Sequence, residues 1–232
     1  MSKSILLTAD EDLPAVPRAP APWTLHGDGW VLLLRLPEEV RHDSRHLPPE
    51  LRGRPLRGPS IVMFVDYADS PAGPYRELLY IPGRCEPAHG PRAWTVTRIY
   101  VSSWDSVVNG RQNWGIPKDL AEFERTPARR GERIQVAVGD RRIASLELES
   151  RGPALPVHAG LLPGSLRRIV QYHAGRRFEF TPAARGRAAL ARAGRLETDT
   201  GLFPDLAAGQ VALALRIPRF RLHFPCADRR GR

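Results

Sequence analysis

A chain of 232 residues, 42% hydrophobic and 26% charged, is long enough for a genuine core in one large domain or two small ones, and reads as an ordinary globular protein. Its formal charge of +10 comes from arginines scattered in tracts no longer than a pair, without a basic helix or zinc-finger spacing, which argues against a nucleic-acid binder. No apolar run approaches the ~18 residues of a membrane-spanning helix, the start "MSKSILLTAD" does not read as a secretory signal, and the isolated Cys85 and Cys226 suit a reducing cytoplasm.

Residues 1–24 are proline-rich and polar, and read as an arm that lies over the surface or reaches a partner, with Trp23 as an apolar anchor. Residues 25–232 then carry one strand candidate after another: "GWVLLLRLP" (29–37), "SIVMFVDY" (60–67), "YRELLYIP" (75–82) and "AWTVTRIYVSS" (93–103). The turn-rich "ADSPAGP" makes a hairpin of the middle two. Gly139-Asp140 does the same inside "RIQVAVGDRRIASLELES" (133–150). Further strands are expected at 167–174, 176–182, 210–218 and 219–225, and short helices within 37–53 and 184–195. No linker separates a second domain. This pattern predicts a mainly β fold with a few short helices, built on a closed or strongly curved antiparallel sheet.

The chemistry centres on "GRQNWGIPKDLAEFE" (110–124). Of 35 basic residues only Lys3 and Lys118 are lysines, and Lys3 sits in a disposable-looking start. An arginine cannot lose its proton near neutral pH and attack a carbonyl; an ε-amine can, once its pKa falls from ~10.4. Pro117 stiffens the backbone before Lys118, and Trp114, Ile116, Leu120 and Phe123 are there to desolvate it. No other chemistry competes. The seven histidines never adopt zinc spacing with a third ligand, His42 and His46 included, so no metal site is expected. Glycine-rich phosphate loops and GxSxG elbows are missing as well.

The same segment resembles the active-site stretch of the acetoacetate decarboxylase family, with its Gly-Arg pair followed by Pro-Lys. "GPYRELLYIPG" (73–83) is similar to that family's upstream "Y-x-E" strand. The resemblance covers about residues 20–150, with "GLFPDL" and a terminal strand familiar beyond. It implies a cone-like closed sheet around a small apolar pocket, a homo-oligomer and no bound cofactor. It also implies a lyase in which Lys118 attacks a small keto acid or ketone to form an imine and then an enamine, with Glu77 as its acid–base partner. Arg111, Trp114, Met63 and Tyr75 are assigned to the substrate surround on the same ground.

Departures from the family pattern bear on the reaction. The decarboxylases follow Pro-Lys with a second lysine, where this chain has Asp119. They also keep an arginine near the N-terminal strand and a second carboxylate before "Y-x-E". The register puts Asp28 and Met63 at those two positions, with Arg35 as a substitute arginine. Acetoacetate itself is therefore a doubtful substrate, and two other roles stay open: a non-catalytic binder of a small carbonyl or carboxylate, and a buried Lys118–Glu77 ion pair without chemistry. The expectations are that Glu77 and Lys118 meet in one enclosed pocket, and that Asp119 faces away, towards an arginine such as Arg125.

Overall fold

The computed structural model describes residues 6–87 and 90–231, so Lys3 and His89 lie outside the described residues. The strands of the first half are β1 (Trp23–Arg35), β2 (Leu56–Arg57), β3 (Ser60–Asp69), β4 (Tyr75–Ile81), β5 (Arg84–Cys85), β6 (Ala93–Trp94), β7 (Arg98–Val101) and β8 (Lys118–Leu120). Those of the second half are β9 (Glu122–Pro127), β10 (Glu132–Val138), β11 (Arg141–His158), β12 (Ile169–His173), β13 (Arg176–Phe180), β14 (Ala183–Thr198), β15 (Gln210–Phe224) and β16 (Asp228–Gly231). The α-helices are α1 (Glu38–Arg41), α2 (Trp104–Trp114) and α3 (Gly164–Arg167).

Ten strands pair in the order β8-β7-β4-β3-β1-β15-β14-β11-β10-β9. The two ends of that order, β8 and β9, are consecutive in the chain and joined by Ala121, so the sheet curls almost to a closed barrel. Its pairings are antiparallel except that of β8, which runs parallel to β7. A smaller sheet follows the order β16-β13-β12-β6-β5-β2.

Alternation along the strands buries both faces of the main sheet. Leu78, Tyr80 and Tyr100 point into one core with Trp30, Phe64 and Phe203, whereas Leu79, Ile81, Ile99 and Val101 point into another with Trp23, Trp114 and Phe180. The "GLFPDL" segment belongs to the first core, where Leu202, Phe203 and Leu206 are buried and the Tyr100 hydroxyl donates to the Leu202 carbonyl at 2.8 Å.

The expected hairpins form as β3–β4 and β10–β11. Two expectations are corrected. Residues 184–195 are not helical: they lie in β14, between β11 and β15. The alanines and arginines favour a helix, but Gly186 and Gly194 weaken one by roughly 1 kcal/mol each, and two neighbouring strands supply a full hydrogen-bond ladder instead. Gly186 is needed there, because a Cβ would stand 2.4 Å from the Arg219 carbonyl oxygen. The segments at 210–218 and 219–225 are one strand, β15, which passes Pro218 at a bulge opposite β1 and β14 where no ladder N–H is required. Within 37–53 the expected short helix forms as α1, followed by a 3-10 turn at Pro49–Leu51.

The N-terminal arm packs on its own chain. Asn109 of α2 accepts the Ala19 N–H (2.8 Å) and donates to the Pro17 carbonyl (3.0 Å), and Asn113 donates to the Ala19 carbonyl (2.8 Å). Trp23 is buried edge-on against Trp114, ring centroids 5.0 Å apart. Cys85 is buried and Cys226 exposed, both free thiols. Among the described residues, no helix is long and apolar enough to cross a membrane.

Candidate active site

Helix α2 and the turn after it set the position of Lys118. Ser103 caps the helix by accepting the Ser106 N–H, and Gly115 ends it at φ +64°, a left-handed conformation that glycine adopts without strain. Pro117 then delivers Lys118 to β8, opposite Ile99. Glu77 stands in β4 opposite Val101 of β7. In this register Glu77, Ile99 and Lys118 share one face, and Tyr100 and Asp119 share the other.

Lys118 is only 4% exposed, as is Glu77. The lysine Nζ lies 3.0 Å from Glu77 Oε2, 2.9 Å from Ser106 Oγ and 3.5 Å from the Tyr75 hydroxyl, with the Tyr75 ring centroid 4.9 Å away. The Tyr67 hydroxyl donates to Glu77 Oε1 at 3.3 Å. Gly110 of α2 makes room for the lysine stem: a Cβ there would stand 2.7 Å from Lys118 Cδ and 2.9 Å from Cε. Burial pulls the Lys118 pKa down, but the Glu77 carboxylate and the Tyr75 hydroxyl, with their hydrogen bonds, together outweigh it, so the amine stands above its ordinary value. Burial also pushes the Tyr75 phenol up to about 12 and raises Tyr67 well above its ordinary value, so both stay neutral.

The Lys118–Glu77 pair opens onto a cavity of about 580 Å³. Met63, Tyr75 and Trp114 line it. Arg111 does not. Its buried guanidinium turns to the far side of the strand, where Nε and Nη2 donate to the Lys118 carbonyl at 2.9 and 2.7 Å. Because β8 ends the sheet order, that carbonyl has no further strand to pair with, and Arg111 satisfies it. The same guanidinium bonds Asp119 Oδ1 (3.1 Å), Asp10 Oδ1 (2.9 Å) and the Thr8 carbonyl (3.0 Å).

Asp119 faces away from Lys118, as expected, but its partner is Arg111 and not Arg125. It also accepts the Leu7 N–H at 3.1 Å and the Thr8 N–H at 3.2 Å, while burial raises its pKa in spite of these bonds. Arg125 instead gathers Asp28 (3.2 Å), Asp66 (3.0 Å) and Glu132. Asp28 also meets Arg216 at 3.0 Å, and Arg35 borders a different groove, so neither enters the cavity. His46 is taken up in the core, one ring nitrogen on the Thr200 carbonyl (3.0 Å) and the other on Arg98 Nε (3.1 Å).

The family model for acetoacetate decarboxylase (ADC) matches residues 39–202, a span that holds Glu77, Lys118 and the whole of α2. The chain belongs to the acetoacetate decarboxylase family. No match was found among curated proteins. Among solved structures, the acetoacetate decarboxylase of Legionella pneumophila superposes with a TM-score of 0.71 at 14% identity, over 94% of this chain and 91% of that one. The enduracididine biosynthesis enzyme MppR complexed with pyruvate gives 0.63 at 13% identity, over 99% and 98%. An acetoacetate decarboxylase-like enzyme from Sphingomonas wittichii RW1 gives 0.61 at 15% identity, over 91% and 93%. At such identities the likeness is one of fold.

Sequence reading missed Ser106, Tyr67 and Gly110 because it missed α2 and the inward face of β3. The signals were present: Ser103 as a cap, Asp105 in the first turn, Gly115 as a stop, and Ser106 and Gly110 four apart on one helical face.

Proposed function

We propose that this member of the acetoacetate decarboxylase family is a Schiff-base-forming lyase that acts on a small carbonyl compound through Lys118. The observation that carries the reading is the amine of the chain's one interior lysine, buried at an apolar cavity with Glu77 Oε2 at 3.0 Å. The resting pair holds an ammonium and a carboxylate, which is not the nucleophilic form. Moving one proton across that contact gives a neutral amine and a neutral acid without exchange with solvent. Exclusion of water by an entering substrate favours this neutral pair, because two buried ions lose their solvation. The amine attacks the carbonyl carbon, Glu77 returns the proton to the departing hydroxyl, and water leaves. The cationic imine then sits against the Glu77 carboxylate. Loss of CO₂ or of an α-proton sends an electron pair to the imine nitrogen and forms the enamine.

Ser106 and Tyr75 hold the amine on this path, and Tyr67 holds the carboxylate. The reaction calls for no bound cofactor. The free thiols Cys85 and Cys226 suit a cytoplasmic enzyme, and the bare leucines at 155, 161 and 190 suit a homo-oligomer.

A second reading, a non-catalytic binder of a carbonyl or carboxylate ligand, is favoured by the raised pKa of Lys118. Borohydride reduction in the presence of acetone, pyruvate or acetoacetate, followed by peptide mass analysis, separates the two. A reduced adduct on Lys118, lost in Lys118→Ala, supports the enzyme. Ligand-induced thermal stabilisation without an adduct supports the binder.

A further inference from the structure

We infer that the natural substrate is a ketone or aldehyde with an extended apolar body and no carboxylate next to the reacting carbonyl. The inference rests on the Schiff-base reading and narrows its substrate class.

Size is the first ground. The cavity, at about 580 Å³, falls in the range of sites that enclose drug-sized ligands, so a keto acid of three or four carbons leaves most of it unfilled. The walls are the second ground. Val65, Leu79, Ile99, Trp114, Phe220 and Phe224 present hydrocarbon and ring faces, which give a charged body nothing to bond.

Charge near the amine is the third ground. Among the described residues, the charged groups that line the cavity are Glu77, Lys118 and Arg185, with His158 beside them. Arg185 and His158 are exposed, whereas Lys118 and Glu77 are buried. A carboxylate α or β to the carbonyl under attack has to lie within a few ångströms of Nζ, close to the Glu77 carboxylate, and the cationic imine offers that spot a single positive charge already paired with Glu77. Two anions would share a desolvated site with one positive charge, which is strongly unfavourable. Neither arginine named from the sequence serves: Arg111, assigned to the substrate surround, is turned away on the Lys118 carbonyl, and Arg35, the substitute for the family arginine, borders another groove. An uncharged carbonyl meets no such conflict, and its apolar tail gains from every methylene it buries.

After imine formation, Glu77 takes an α-proton, the C–H electron pair becomes the C=C bond and the C=N π pair moves to the nitrogen, so the expected chemistry is enamine formation without CO₂ release. The step is visible as α-hydrogen exchange with deuterated water.

The experiment uses the whole wild-type chain and follows borohydride-trapped adduct on Lys118 by mass across two series. One runs through methyl ketones from butanone to 2-nonanone; the other comprises pyruvate, acetoacetate and 2-oxooctanoate. The concentration for half-maximal trapping should fall with each methylene added to the ketone, by up to roughly four-fold per CH₂ (about 0.8 kcal/mol), until the cavity is filled. At equal chain length 2-oxooctanoate should trap at least ten-fold less well than 2-octanone, roughly the effect of one unpaired buried charge after partial relaxation. Adducts with pyruvate or acetoacetate that exceed those with the long ketones overturn the inference and leave the Schiff-base reading standing. No Lys118 adduct with any carbonyl overturns both.

Discussion

Arg111 donates twice to the carbonyl of Lys118 while its far nitrogens hold Asp119 and Asp10, so one buried guanidinium ties the strand that carries the amine to the N-terminal arm. Removing it leaves an edge carbonyl without its side-chain donors and a buried carboxylate without its counter-ion. Arg111→Ala is expected to lower stability by about 3–5 kcal/mol, measured by urea unfolding. Arg111→Lys should recover only part, since an ammonium cannot reproduce the fork. A positioning role further predicts slower trapping at Lys118 in Arg111→Lys with the adduct site unchanged. An unaltered trapping rate would assign Arg111 to stability alone.

Gly110→Ala separates packing from chemistry. Alanine should help α2 by up to about 1 kcal/mol, and the atoms it meets, Lys118 Cδ and Cε, belong to a flexible side chain that can give way. The helix gain and the strained ion pair oppose each other, so the melting temperature is expected to fall by less than in Glu77→Gln, whereas adduct formation falls because Nζ is pushed from Glu77. Normal adduct yield in a well-folded Gly110→Ala protein would count against the geometry of the pair.

The lysine pKa should respond to Glu77 and not to Asp119. Burial lowers it and Glu77, together with Tyr75, carries it above its ordinary value, whereas Asp119 stands on the other face of the strand, paired with Arg111. The pH profile of Lys118 modification by an amine reagent is therefore expected to shift to lower pH in Glu77→Gln and to stay within half a unit or so in Asp119→Asn. Glu77→Gln should thus gain modification at neutral pH while losing turnover. A large downward shift in Asp119→Asn would show that Asp119, not Glu77, holds the proton on the amine.

The Lys118–Glu77 pair also predicts a stability cycle. Lys118→Met or Glu77→Gln alone should each cost several kcal/mol, up to about 3–5, by leaving a buried group unpaired. The double variant should cost less than the sum, with a coupling of roughly 1–3 kcal/mol by denaturant midpoints. Strict additivity would remove the ion pair from the account.

Acid lability should trace to His46. Burial first, then the Arg98 charge, lowers its pKa from 6.5 to about 4, with Nδ1 accepting from Arg98 and Nε2–H donating to Thr200. The unfolded chain takes up a proton below pH 6.5 and the folded ring does so only near pH 4, so stability is expected to fall through that window, by about 3 kcal/mol in all. His46→Gln, which keeps a donor and an acceptor, should flatten that part of the profile. An unchanged profile would place the acid response elsewhere.

Local features were legible in the sequence because they rest on backbone chemistry that no tertiary contact overrides. The β3–β4 and β10–β11 hairpins follow from alternation and turn residues, and Lys118 was singled out by being the one interior cation able to act as a nucleophile. Its meeting with Glu77 was legible only through the family's paired motifs, since 41 residues separate them and nothing local fixes a register across β7. Tertiary structure alone decided that 184–195 is a strand, because two neighbours outbid the helical preference of alanine. It alone turned Arg111 from a substrate contact into the support of an edge carbonyl, since β8 proved to end the sheet. It alone gave Asp119 its partner. Burial, edge position and charge pairing are properties of how distant strands come together, and a single chain read in order contains the residues for them but not the distances.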